Sequence, residues 1–153
     1  RRENRNKFDR IFYPLNEKVK FKINQNFHEL TKDKKRVEKT VETKGRNLKI
    51  SNYYAGITRF KFSDLCDVNL GSEDYINIAE LCHHIFIEDI PMFNVDNSNQ
   101  QLRFVNLIDI FYEKKISLTI SLEKNLMYIG SSKKHSEVFK RTISRLFEMT
   151  KIK

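Results

Sequence analysis

The chain has 153 residues, 39% of them hydrophobic and 32% charged, with 29 Lys/Arg against 20 Asp/Glu and a net charge of +9. This balance fits one soluble globular domain with a sizeable core, and no apolar run approaches the ~20 residues that a membrane span needs. Two cysteines, Cys66 and Cys82, make no disulfide framework and favour a reducing compartment; no signal peptide is expected at the start. All of the excess charge sits early, because residues 1–50 carry 16 Lys/Arg and 7 Asp/Glu while residues 51–153 carry 13 of each. A basic flank of this kind neutralises the phosphates of nucleic acid or anionic lipid, or it is a solvated face with no ligand; the second reading is preferred.

In chain order, residues 1–11 alternate charge and asparagine and predict an extended lead-in, and Pro14 sets a turn. Residues 16–33 place Val19, Ile23, Phe27 and Leu30 on one face of a helix. Residues 34–45 are polar, end at Gly45 and predict a loop. Strands are expected near 47–51 and 57–62, joined through Asn52–Gly56 as a hairpin, since Ile57, Arg59 and Lys61 alternate with Thr58, Phe60 and Phe62. A Ser63-Asp64 turn follows. Next come helix 72–82, with Glu73 and Asp74 in its first turn, strand 84–88, helix 97–114, strand 116–121 and helix 134–150. Strand 84–88 is short and apolar, as a buried parallel strand is. Helices alternating with such strands imply βαβ units. The expected fold is therefore a layered α/β domain with a largely parallel sheet and flanking helices, preceded by a basic helix and a β-hairpin. The expected division is 1–45, a basic lead-in, helix and polar loop, and 46–153, the α/β portion.

Several clusters invite a chemical reading. With glycine only at 45, 56, 71 and 130, no G-x-x-x-x-G-K-[ST] phosphate loop can be written in these residues. Ile85-Phe86-Ile87-Glu88-Asp89 is an apolar strand ending in two carboxylates, the shape of an element that holds Mg²⁺ in P-loop enzymes; an ordinary solvated turn before Pro91 is the preferred reading. Arg141 and Arg145 share one face of the last helix, and Arg103 and Asp109 flank the helix that begins Arg-Phe-Val-Asn-Leu-Ile-Asp, whose Phe104, Leu107, Ile108 and Phe111 form its core stripe. Cys66, Cys82, His83 and His84 match no zinc-ligand spacing, and adjacent histidines on a strand point to opposite faces.

Several segments also resemble, in order, one known family. Phe12-Tyr13-Pro14-Leu15, Gly45-Arg46-Asn47-Leu48, Arg59-Phe60-Lys61-Phe62-Ser63-Asp64-Leu65-Cys66, Leu70-Gly71-Ser72-Glu73-Asp74-Tyr75, Ile85–Pro91, Arg103–Asp109 and Arg141–Met149 are similar to the successive motifs of ZapE-type ATPases. These are bacterial cell-division ATPases of the AAA+ type and their mitochondrial relatives. Asn69 stands where that family usually has proline, and the segment after Ser121 lacks its usual proline. The resemblance implies the C-terminal region of an ATP-hydrolysing P-loop ATPase. This region would serve as lid, oligomer interface or partner-binding surface, with ATP and Mg²⁺ bound only in the full-length protein. It implies ring self-association, FtsZ or a client protein as partner, and a bacterial cytoplasm or, alternatively, a mitochondrial matrix. An arginine on a late helix in such ATPases reaches the γ-phosphate, so Arg145 is the first candidate for a sensor-2-like role and Arg141 the second. The simpler alternative pairs them with Glu137, Glu148 or a strand end. A stand-alone interaction module or a basic nucleic-acid-binding domain is the competing function, nucleic acid being the weaker partner and an anionic membrane surface a further one.

Overall fold

The computed structural model describes residues 10–152. Four parallel strands form the central sheet in the order β1-β6-β5-β4, namely β1 (Ile11–Phe12), β4 (Ile57–Lys61), β5 (His84–Ile90) and β6 (Ser117–Leu122). Between β4 and β5 lie the short helix α2 (Phe62–Cys66) and α3 (Ser72–Leu81); α4 (Ser98–Glu113) joins β5 to β6, and α5 (Ser136–Met149) closes the chain. The expected α/β layering, the two later strands and the three later helices are all present. Residues 1–9 of the expected lead-in lie outside the described residues, and Ile11 is in β1 rather than in a lead-in.

Alternation along the strands sorts the two sheet faces. Ile85 and Ile87 of β5, Leu118 and Ile120 of β6 and Phe60 of β4 join the large core shared with α2, α3, α4 and α5. The opposite face receives α1 (Glu17–Thr31), whose Val19, Ile23 and Phe27 pack on Ile57 and Phe86. Asn16 caps α1 by accepting from the Val19 N–H at 2.9 Å. In the larger core, Phe93 and Phe104 stack with centroids 5.7 Å apart, and Phe62 and Phe139 close against this pair. The predicted stripe on α4 is core throughout, Phe104, Leu107, Ile108 and Phe111 being no more than 1% exposed.

The hairpin differs from the one expected. Residues 37–43, inside the expected loop, form β2 (Val37–Thr43), which pairs antiparallel with β3 (Arg46–Tyr53) through the two-residue turn Lys44-Gly45. Gly45 has φ +71°, the left-handed conformation such turns demand. β4 belongs instead to the parallel sheet, and Phe62, assigned to that strand from its alternation, starts α2 together with the expected Ser63-Asp64 turn. Burial decided the pairing. Val41 and Ile50 bury one face of the β2–β3 ribbon, while Ile57 and Phe60 must reach opposite faces of the sheet. The ribbon packs on α3. Arg46 pairs with Asp74 at 2.6 Å, Asn77 donates to Thr43 Oγ1 at 3.1 Å, and the Tyr53 hydroxyl donates to the Leu81 carbonyl.

The sheet face toward α1 carries polar groups that the core can keep only because they are bonded. His84 is 5% exposed, its Nε2 2.8 Å from Thr119 Oγ1. Burial, with help from the charge of Arg10, holds its pKa down at about 3. The native state therefore binds fewer protons than the unfolded one, so stability is full above the ordinary histidine pKa near 6.5 and falls as pH drops below it. Between pH 7 and 5 the unfolding free energy should decline by up to about 1.4 kcal/mol per pH unit once below 6.5. His84→Gln should flatten that slope, whatever it does to the midpoint. Equal slopes for the two proteins in denaturant titrations would remove His84 from the account.

Candidate functional site

The two arginines expected to meet phosphate do lie together, and both reach one carboxylate. Arg141 Nη2 is 3.0 Å from Asp109 Oδ2, and Arg145 Nη1 binds Asp109 Oδ1. The spacing of four residues puts both guanidiniums on the α5 face toward α4, where Asp109 and Tyr112 stand one turn apart. Arg145 also lies over the Tyr112 ring, its Cζ 4.4 Å from the centroid, and the Tyr112 hydroxyl donates to Glu148 at 3.1 Å. Burial separates the pair. The Arg145 side chain is 22% exposed and the Arg141 side chain 52%.

Neither Glu137 nor a strand end is the partner of these arginines. Glu137 holds Lys140, and Glu148 reaches the cluster only through Tyr112. With a stack and an ion pair, Arg145 is a packed residue rather than the exposed arginine that a surface helix would suggest. Arg141 keeps a single hydrogen bond among the described residues. Asp109 and Glu148 together match the two permanent cations in charge, so what the cluster offers an oxyanion is the spare donors of the half-exposed Arg141 rather than a surplus of positive charge.

The carboxylates at the end of β5 serve a different purpose. Glu88 is 4% exposed, and Arg59 grips it with both Nε at 2.7 Å and Nη2 at 2.9 Å; Lys20 of α1 approaches at 3.5 Å. Arg59 also binds Asn24 and lies 5.0 Å over the Phe27 ring. The ladder between β5 and β6 shifts between Ile87 and Ile90. Asp89 sits at that shift with φ +63°, a conformation aspartate tolerates better than most residues, its N–H donating to Ser121 Oγ. Glu88 thus anchors α1 to the sheet.

Other motif residues also find partners in one another. Asp74 is 2% exposed and takes Arg46 and the Gly71 N–H. Burial alone would raise its pKa, but those two hydrogen bonds, together with Thr43 and the Arg46 charge, outweigh it and hold the carboxyl below its ordinary range. Tyr75 donates to the Leu65 carbonyl at 2.6 Å, and Arg103 donates to the Cys66 carbonyl at 3.0 Å. The Arg46–Asp74 and Arg103–Cys66 bonds join segments 28 and 37 residues apart in sequence. Arg103 fastens α4 to the end of α2.

The cysteines and histidines are dispersed. Burial pushes the Cys66 and Cys82 thiols up to about 12, so both are inert, protonated packing groups. His83 is 3.2 Å from the Ala55 carbonyl, far from the Thr119 partner of His84. Among the described residues, five of the sixteen early cations face a carboxylate, namely Lys20, Lys32, Lys34, Arg46 and Lys49.

The fold is a parallel α/β layer whose last helix carries two arginines that share one carboxylate. The chain belongs to the AFG1-like ATPase family, whose profile matches residues 1–153. It is similar to the cell division protein ZapE of Escherichia coli K12, 27% identical over 136 residues, covering 89% of this chain and 36% of that protein. It is also similar to lactation elevated protein 1 homolog B of Danio rerio, 29% identical over 82 residues, covering 54% of this chain and 16% of that protein. An uncharacterised Schizosaccharomyces pombe protein is 26% identical over 117 residues, covering 75% of this chain and 26% of its own length. The chain thus spans roughly a third of the bacterial relative. No solved structure matches it. Among the described residues no helix is long and apolar enough to cross a membrane.

Proposed function

We propose that this chain is the C-terminal α/β region of an ATP-hydrolysing AFG1-like enzyme, an incomplete P-loop ATPase that acts as a lid on nucleotide held by the rest of the protein. The carrying observation is the α5 arginine pair. Arg141 is half exposed with donors to spare, and Arg145 is fixed beside it. A permanently charged, forked donor suits the charge that develops on phosphate oxygens during transfer. The packing of Arg145 supports a different assignment from the expected one, with Arg141 as the group that reaches and Arg145 as the group that steadies. ATP and Mg²⁺ would be bound by the full-length protein, and ring self-association would bring neighbouring subunits to the same nucleotide. The name of the bacterial relative supports a cell-division setting; a cytoplasmic location and FtsZ or another client as partner are further parts of this proposal.

The 153-residue chain alone should bind ATP more weakly than ~1 mM, about −4 kcal/mol. Phosphate binding needs a cradle of backbone N–H groups with a lysine, and no sequence for that loop can be written here. Calorimetric titration of the isolated chain with Mg-ATP checks this. Micromolar affinity would show a nucleotide site within these residues and overturn the lid reading.

A further inference from the structure

We propose that Asp109 is a parking carboxylate for Arg141, which exchanges it for a phosphoryl oxygen while Arg145 keeps its grip on Asp109. This rests on the reading that the α5 arginines meet nucleotide.

Three features of the cluster carry the exchange. First, Asp109 serves two guanidiniums, one through each oxygen, so losing Arg141 leaves its other oxygen paired with Arg145. Second, the two arginines are held unequally. Arg145 has a ring beneath it and little exposure, whereas Arg141 has one hydrogen bond, among the described residues, and half its side chain in solvent. Exposed pairs of that sort are weakly held, and a phosphate dianion offers more charge and more acceptor oxygens than a shared carboxylate does. Third, the platform is stiffened from the far side. Tyr112 is tied to Glu148, and Asp109 and Tyr112 sit one turn apart on the same helix. The ring and Asp109 therefore stay in place when Arg141 swings, which makes Asp109 a positioning residue.

In the free protein the carboxylate competes with phosphate for Arg141 and orders it at the same time. Removing its charge should then tighten nucleotide binding through Arg141 alone. The test uses the full-length protein and a non-hydrolysable ATP analogue with Mg²⁺. Asp109→Asn should lower the dissociation constant about fivefold, the size of one released surface pair, and Asp109→Ser carries the same test if the asparagine variant does not fold. In an Arg141→Ala background the same change should have no effect on affinity. A gain that persists without Arg141, or no gain in a folded Asp109 variant while Arg141→Ala weakens binding, overturns the parking role alone. If Arg141→Ala itself leaves analogue affinity and turnover untouched, the lid reading falls with it.

Discussion

Replacing Arg59 by alanine should lower the unfolding free energy by about 3–5 kcal/mol, because it strands a buried carboxylate. Among the described residues Glu88 then keeps only Lys20, whose ammonium is 3.5 Å away and whose side chain is nearly half exposed. The same change removes the guanidinium lying over Phe27, a residue that seats α1 on Phe86 with ring centroids 5.1 Å apart. Replacing both partners, Arg59→Met with Glu88→Leu, should come close to neutral or exceed the parent in stability, since neither charge then needs a partner. Denaturant unfolding of the isolated chain measures both. A cost below about 1 kcal/mol for Arg59→Ala would place this pair among ordinary surface ion pairs.

In the full-length protein, Arg141→Ala should reduce ATP turnover by roughly 10²-fold or more, the usual loss for one preorganised donor to developing charge. Arg141→Lys should recover only part of it, since an ammonium presents no planar fork. The side chain is half exposed and holds one carboxylate oxygen, so Arg141→Ala should change the stability of the isolated chain by no more than about 1 kcal/mol. Arg145→Ala differs in kind. It loses an ion pair and a stack on Tyr112, which together should cost about 1–2 kcal/mol of stability as well as turnover. Steady-state hydrolysis set against thermal unfolding separates the two arginines. Unchanged turnover in Arg141→Ala would make the pair a structural clasp.

The layered core was legible because its elements have clean periods. Leu107, Ile108 and Phe111 on α4 and Ile116–Ser121 leading through β6 pattern as a helix and a strand, and each folds that way. The hairpin was misread because β2 is polar: Val37–Thr43 buries only Val41 and Thr43, too few to show alternation against Lys39, Glu38 and Glu42. Lys44-Gly45 was the available signal, a two-residue turn with β-branched Thr40, Val41 and Thr43 before it and Leu48 and Ile50 after it. The alternation of Ile57–Phe62 was sound for the strand but silent on its neighbour. Parallel pairing with His84–Glu88 is set by tertiary burial of Ile57 and Phe60 on opposite faces.

For the site, the sequence located Arg141 and Arg145 on one face but could not supply Asp109 as their shared partner, more than thirty residues away. The resemblance ranked Arg145 above Arg141, but that ranking could not take account of exposure, which depends on where Tyr112 lies. The Glu88-Asp89 pair was legible as a strand end and illegible as an anchor, since its partner Arg59 is 29 residues back along the chain. Long-range polar pairs of this sort leave no periodic trace in a single sequence.

The most direct test is the structure of the full-length protein with Mg²⁺ and a non-hydrolysable ATP analogue. The Arg141 guanidinium should lie at hydrogen-bond distance, about 2.7–3.2 Å, from a γ-phosphate oxygen, with Arg145 still bound to Asp109 over Tyr112. A γ-phosphate surrounded by other residues, with Arg141 still on Asp109 and pointing into solvent, would contradict the lid reading.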